Sequence, residues 1–166
     1  GCINEGQISL SLGVRGIPNI SESVIVERDI AILESIGGRY HLLHCSTRQA
    51  LDAVKRAKEK GLNVTVEVAP HHFLLTDQQV LKSGTLAKMN PPLRSEEDRL
   101  ALIEGLRSGI IDAIATDHAP HDIASKEKPL EEASFGIVGV ETMLALSLTL
   151  FHQKVFSLRD LLAKMT

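Results

Sequence analysis

The sequence predicts an α/β fold assembled from parallel βα units. Helical and extended segments alternate along its 166 residues, the signature of strands joined by helical crossovers. Three short apolar, β-favouring runs each end abruptly in histidine or in Asp-His, as strands do when their carboxyl ends form a site. The composition, 43% hydrophobic and 23% charged, is that of an ordinary globular domain large enough for a real core.

The elements follow in order. The opening GCINEGQISLSLGVRGIPNIS is rich in Gly, Asn and Ser without a sustained period and reads as a loop. A helix is predicted from Glu22 to Ile36, with Ser21 as N-cap, a face of Val24, Ile25, Ile32 and Ile36, and Gly37-Gly38 as its stop. Arg39 to His44 is a short strand. Ser46 or Thr47 caps the next helix, whose face is Ala50, Leu51, Val54 and Ala57; its basic tail suits the negative end of the helix dipole, and Gly61 ends it. Asn63 to Val68 is the second strand, closed by Ala69-Pro70-His71-His72. Thr76 to Leu81 reads as a short helix, and Ala87 to Pro92 as an extended piece, since each proline pushes its predecessor out of the α region. Ser95 followed by Glu96, Glu97 and Asp98 starts a helix with Leu100, Ile103 and Leu106 on its face, and Gly109 stops it. Ile111 to Thr116 is the third strand. Asp122 to Ser134 reads as a charged surface loop, followed by helices from about Val140 to Leu150 and from near Ser157.

Several function classes are excluded on composition. The net charge of −3, the absence of Trp and the lack of a Lys/Arg cluster recommend no nucleic-acid or membrane-surface partner. No apolar stretch approaches a membrane span, and the first residues do not read as a signal peptide. Cys2 and Cys45 have no metal-type or disulfide spacing, which fits a reduced, cytoplasmic setting.

What remains is the set of strand ends. In parallel βα units all strand carboxyl ends lie on one side, so His44, His71-His72 and Asp117-His118 are expected to converge. Histidine and carboxylate together bind divalent metals such as zinc. Taken alone, His44 is more readily a hydrogen-bonded structural histidine, and Asp117-His118 a polar turn; together they favour a metal site. His44 and Asp117 are expected at the ends of adjacent strands, within reach of one ion. A catalytic zinc usually takes three protein ligands, and only these two stand out. A (β/α)₈ barrel needs about 250 residues, so about three strands in 166 residues read as a piece of a larger barrel.

The segments HLLHCST (41–47), VTVEVAPHHFLLTD (64–77), KMNPPLRSEEDRLALIEGL (88–106), IDAIATDHAPH (111–121) and FGIVGVET (135–142) resemble the dihydroorotases, in particular the bacterial type I branch of the amidohydrolase superfamily. The resemblance implies that residues 1–166 form the C-terminal portion, about strands six to eight, of a metal-dependent TIM barrel. It implies reversible interconversion of N-carbamoyl-L-aspartate and L-dihydroorotate in pyrimidine synthesis. His44 then matches a metal ligand, and Asp117 a metal ligand that also serves as catalytic acid/base. Asn90 and His121 match residues that hold substrate, and the Phe135-Gly136 backbone matches the segment lining the pyrimidine ring. His72, or else His71, sits near the site without matching a standard ligand. One or two Zn²⁺ ions are implied, with the His-x-His pair, a bridging carboxylate and a strand-five histidine expected upstream. The resemblance also implies a homo-oligomer, in some cases associated with aspartate transcarbamoylase. The alternatives are a hydantoinase- or allantoinase-type cyclic amidohydrolase, disfavoured by Asn90-Pro91-Pro92 and His121, and a non-catalytic partner subunit, disfavoured by the presence of both His44 and Asp117. The 166 residues alone are expected to be inactive.

Overall fold

A computed structural model describes all of residues 1–166. In chain order the elements are β1 (Ile3–Asn4), α1 (Gln7–Ser11), β2 (Gly16–Ile17), α2 (Ile20–Ile36), β3 (Tyr40–Leu42), α3 (Arg48–Glu59), β4 (Val64–Val68), α4 (Pro70–Leu74) and α5 (Gln79–Ser83). A 3₁₀ turn (Gly84–Ala87) follows, then α6 (Glu96–Arg107), β5 (Ala113–Ile114), α7 (Ile123–Lys126), α8 (Met143–His152) and α9 (Leu158–Ala163). Strands β3, β4 and β5 form one parallel sheet in that order, with Tyr40 opposite Val64 and Glu67 opposite Ala113. This is the α/β arrangement of parallel βα units that the alternation predicts. No helix is long and apolar enough to cross a membrane.

Alternation along β4 shows how the sheet is used. Val64, Val66 and Val68 are buried against the helices, each such side chain contributing about 1.5–3 kcal/mol. On the opposite face Thr65 and Glu67 meet His41, whose ring lies 2.7 Å from Thr65 Oγ1 and 3.1 Å from Glu67 Oε2. The helix side of the core joins Ala50, Leu51, Val54 and Ala57 of α3 to Leu102 and Leu106 of α6. A Cβ at Gly105 would lie 2.6 Å from Leu51 Cδ2 and 3.1 Å from Ile111 Cδ1, so any larger residue there would force these side chains to shift.

Several expectations need correcting. The opening segment is not a loop: Ile3 and Ile8 are buried with Met89 and Leu93 in a second apolar cluster, and β1 pairs in parallel with β2. Those strands are two residues each, too short to leave a period in the sequence. Helix α2 begins two residues early, with Asn19 rather than Ser21 at its N-cap position, and Ser21 Oγ donates to Pro18 O instead. Its buried face is Val26, Ile30 and Leu33, whereas Val24, Ile25, Ile32 and Ile36 are exposed. The helix carries two apolar stripes, and packing against α3 and β3 selects one of them.

Smaller shifts occur elsewhere. In α6 the buried side chains are Leu102 and Leu106, and Leu100 is exposed. Residues 70–74 form a helical turn where only a strand end was expected, and Pro70 at its first turn is compatible with that. Helix α5 lies three residues beyond its expected start. Residues 123–126 form one helical turn inside the expected loop, capped by Asp122, and α8 starts at Met143 rather than Val140. Of the two candidates for the α3 cap it is Thr47 that serves, Ser95 starts α6 as expected, and Ser157 caps α9 near its expected start, each side chain accepting from the backbone N–H three residues on.

Candidate active site

Three polar groups stand at the carboxyl end of the sheet. His44 follows β3, His71 follows β4 and Asp117 follows β5. His44 and Asp117 are therefore not on adjacent strands: β4 lies between them, because sequence order and spatial order coincide in this sheet. His44 (φ 33°) and Asp117 (φ 48°) both adopt positive φ, strained for residues with a Cβ. Such strain concentrates at functional sites, where the surroundings hold the conformation in place.

Those surroundings can be named. Glu22, in the first turn of α2, accepts from the backbone N–H groups of Ser46 and Thr47 at 3.0 Å and from both their hydroxyls. Arg94 is 3% exposed; it donates to Ser46 Oγ, Asn4 Oδ1 and Ile17 O, and its guanidinium lies 3.7 Å from Glu22. Asp98 accepts from Arg48 N and Ser95 Oγ and from the Asn19 side chain, tying together the starts of α2, α3 and α6. The peptide after His44 is thus clamped by two carboxylates and a guanidinium. Arg94 and Glu22 were assigned no role from sequence; Arg94 lies in the NPPLR motif, but Glu22 reads only as an ordinary first-turn acid.

His71 is buried, and its Nε2 lies 3.7 Å from Asp117 Oδ2, too far for a hydrogen bond. That nitrogen has no hydrogen-bond partner, and neither has His44 Nδ1. Burial, reinforced by His72 and His44, pushes the His71 pKa down to about 2, so the ring is neutral and able to offer a lone pair. Asp117 is shifted the other way: burial raises its pKa, His44 opposes the rise and Glu67 adds to it. His72, the histidine favoured from sequence, faces elsewhere. Its Nε2 lies 2.9 Å from Pro91 O, so that nitrogen carries the proton, and burial lowers its pKa to about 4. His118 also turns away, its Nδ1 accepting from the N–H groups of Gly139 and Val140.

The remaining candidates form two groups. Asn90 lines a cavity of about 360 Å³ together with His44, Glu22 and Arg94. His121 lines a different cavity, of about 510 Å³, and its Nε2 is 2.7 Å from the carbonyl of Phe135. Gly136 has φ +132°, and a Cβ there would meet Ala119 at 2.6 Å; only glycine fits. A hydrogen bond from Gly136 N to Lys88 O joins the second group to the irregular stretch leading into Asn90. No three His, Cys, Asp or Glu side chains are arranged to hold an ion. The unpartnered His71 Nε2, 3.7 Å from the Asp117 carboxylate, and the unpartnered His44 Nδ1 at the same end of the sheet do supply the donor types of part of such a site.

No family model matches the chain. A curated dihydroorotase of Ehrlichia chaffeensis is 61% identical over 167 residues, covering 100% of this chain and 37% of that protein. The chain thus spans well under half the length of the curated relative it matches. Among solved structures, the D-hydantoinase (dihydropyrimidinase) from Thermus sp. superposes with a TM-score of 0.81 at 27% identity, over 96% of this chain and 38% of that one. The dihydroorotase of Saccharomyces cerevisiae in complex with 5-fluoroorotic acid superposes with a TM-score of 0.78 at 17% identity, over 89% of this chain and 42% of that one, a likeness of fold. The parallel sheet and its helices are those of part of an amidohydrolase TIM barrel.

Proposed function

We infer, for a chain that belongs to the dihydroorotase family across its whole length, that residues 1–166 form the C-terminal portion of a metal-dependent amidohydrolase barrel. The complete enzyme interconverts N-carbamoyl-L-aspartate and L-dihydroorotate. The observation that carries this reading is the placement of His44, His71 and Asp117 just after the carboxyl ends of three neighbouring parallel strands, with one imidazole nitrogen of each histidine left unpaired. Hydantoinases share the fold, so fold alone does not choose the ring; the 61% identity to a dihydroorotase does favour dihydroorotate.

In this reading His44 and Asp117 hold one or two zinc ions, and the other ligands come from the remainder of a longer protein. A bound zinc supplies Lewis acidity and makes water more acidic. The residues of this chain do the rest. Asp117 takes a proton as the ring carbonyl is opened and returns it to the leaving ring nitrogen. Asn90 and His121 hold the substrate carboxylate, and the Phe135-Gly136 backbone lines the ring. His121 spends Nε2 on Phe135 O, which leaves Nδ1 for substrate. The protein acts in the cytoplasm as a homo-oligomer, in some settings beside aspartate transcarbamoylase.

The test is a substrate comparison on the zinc-loaded full-length protein with dihydroorotate, hydantoin and allantoin. Turnover of dihydroorotate far above the other two is expected, with the 166 residues alone inactive until the upstream part is supplied. A preference for hydantoin or allantoin, or no turnover of any ring, would overturn the reading.

A further inference from the structure

Two buried lysines sit beside the segment assigned to the substrate, and no step above uses them. Lys88 is 1% exposed and Lys126 6%. Lys88 Nζ donates to the carbonyls of Leu130, Glu131 and Ala133 at 2.7, 3.3 and 2.5 Å. Lys126 Nζ donates to those of Lys88, Ser134 and Gly136 at 3.1, 2.8 and 3.0 Å. Neither forms an ion pair. Three carbonyl acceptors around one nitrogen require all three N–H groups, so both side chains are ammoniums held by backbone carbonyls without a carboxylate partner.

The consequence lies in which carbonyls are taken. Between Leu130 and Gly136, the carbonyls of residues 130, 131, 133, 134 and 136 bond one ammonium or the other, and that of Phe135 takes His121. The Phe135 ring lies 4.2 Å from Lys88 Nζ, a cation–π contact. Lys88 O in turn accepts from both Gly136 N and Lys126 Nζ, two residues before Asn90. A segment with almost no regular structure is therefore wound around two cations that fasten it to the irregular stretch before Asn90. Burial lowers both lysines' pKa values, and in Lys126 the neighbouring Lys88 adds to that, the cost of placing two like charges together. A solvated loop would not need such an arrangement; a loop that must present fixed backbone atoms would.

We propose that Lys88 and Lys126 are positioning residues that fix the Phe135-Gly136 backbone and His121 against Asn90, setting the affinity of the site for its anionic ring substrate. This rests on the substrate assignment above, so the experiment has one arm independent of activity. In the zinc-loaded full-length protein, Lys126→Met and Lys88→Met are compared with Lys164→Met, a lysine whose Nζ donates to Ile111 O at the opposite end of the sheet. Both site variants should raise KM for dihydroorotate by about tenfold, as expected when charge-assisted hydrogen bonds are lost, with kcat nearly unchanged. Amide hydrogen exchange at Ala119 and Gly136, whose N–H groups bond Ile137 O and Lys88 O, should accelerate. Lys164→Met should lower the melting temperature without moving KM or those two amides. An unchanged KM in Lys126→Met, or an equal rise in Lys164→Met, would overturn the proposal. If Lys88→Met does not fold, the Lys126 variant carries the test. If the wild type does not turn over dihydroorotate, the functional reading fails, and exchange at Ala119 and Gly136 alone decides whether the lysines fix the loop.

Discussion

The two ends of the β3-β4-β5 sheet are built on opposite principles. At the amino end the charged groups are paired. Lys58 Nζ donates to both oxygens of Asp112 and to Ile110 O, Asp112 also accepts from Val66 N, and Lys164 donates to Ile111 O. At the carboxyl end, His44 Nδ1 and His71 Nε2 have no partner, Asp117 sits 3.7 Å from His71, and two residues hold positive φ. Buried polar groups without a partner are few in a folded chain, and two of the four here, His44 Nδ1 and His71 Nε2, stand at this one end of the sheet. The amino end closes the fold, and the carboxyl end is where the proposed chemistry would take place.

The sharpest way to break this contrast is Asp117→Asn in the complete enzyme. Asparagine keeps the shape but cannot take the proton, so turnover should fall about 10²–10⁴-fold while the melting temperature barely moves. Near-normal turnover in a metal-replete variant would remove the acid/base role. Next in size is His121→Ala, which should weaken binding of dihydroorotate and of N-carbamoyl-L-aspartate by about 1.5–3 kcal/mol, read by calorimetry. Unchanged affinity for both would make His121 a loop residue only.

The reverse experiment belongs at the amino end. Asp112→Ala strands Lys58 and the Val66 N–H and should lower stability by about 1–2 kcal/mol, a modest figure because the pair is partly exposed. KM and kcat should stay put at temperatures where the variant is folded; a large loss of turnover there would mean the two ends are not separable. The smallest effect is expected from Glu104→Gln, whose partner Arg107 lies with it on the exposed face of α6. Neither melting temperature nor rate should change.

How much of this could be read from sequence differs element by element. Helix α3 was legible because its small and branched apolar residues form a single stripe between a capping Thr47 and Gly61. The stripe that α2 buries was not, because both of its faces are apolar and only contact with α3 and β3 chooses between them. Strands of two residues leave no period, so β1 and β2 were hidden in a segment that looked like loop. Among the site residues, His44 and Asp117 announced themselves as polar ends of apolar runs. Lys88 and Lys126 did not, since nothing local distinguishes a buried lysine from a solvated one.

The sequence by itself determined the parallel α/β class, the three polar strand ends and the helix starts at Ser46-Thr47, Ser95 and Ser157. These depend on periodicity and on hydrogen bonds between residues three apart, which the chain writes locally. Tertiary structure alone decided that His71 rather than His72 faces Asp117 and that β4 separates His44 from Asp117. It alone set Glu22 against Ser46 and Thr47, and gathered the carbonyls of residues 130–136 around two ammoniums. Each of those outcomes pairs a donor with an acceptor far away in the chain, and which partners meet is settled only when the strands and helices pack.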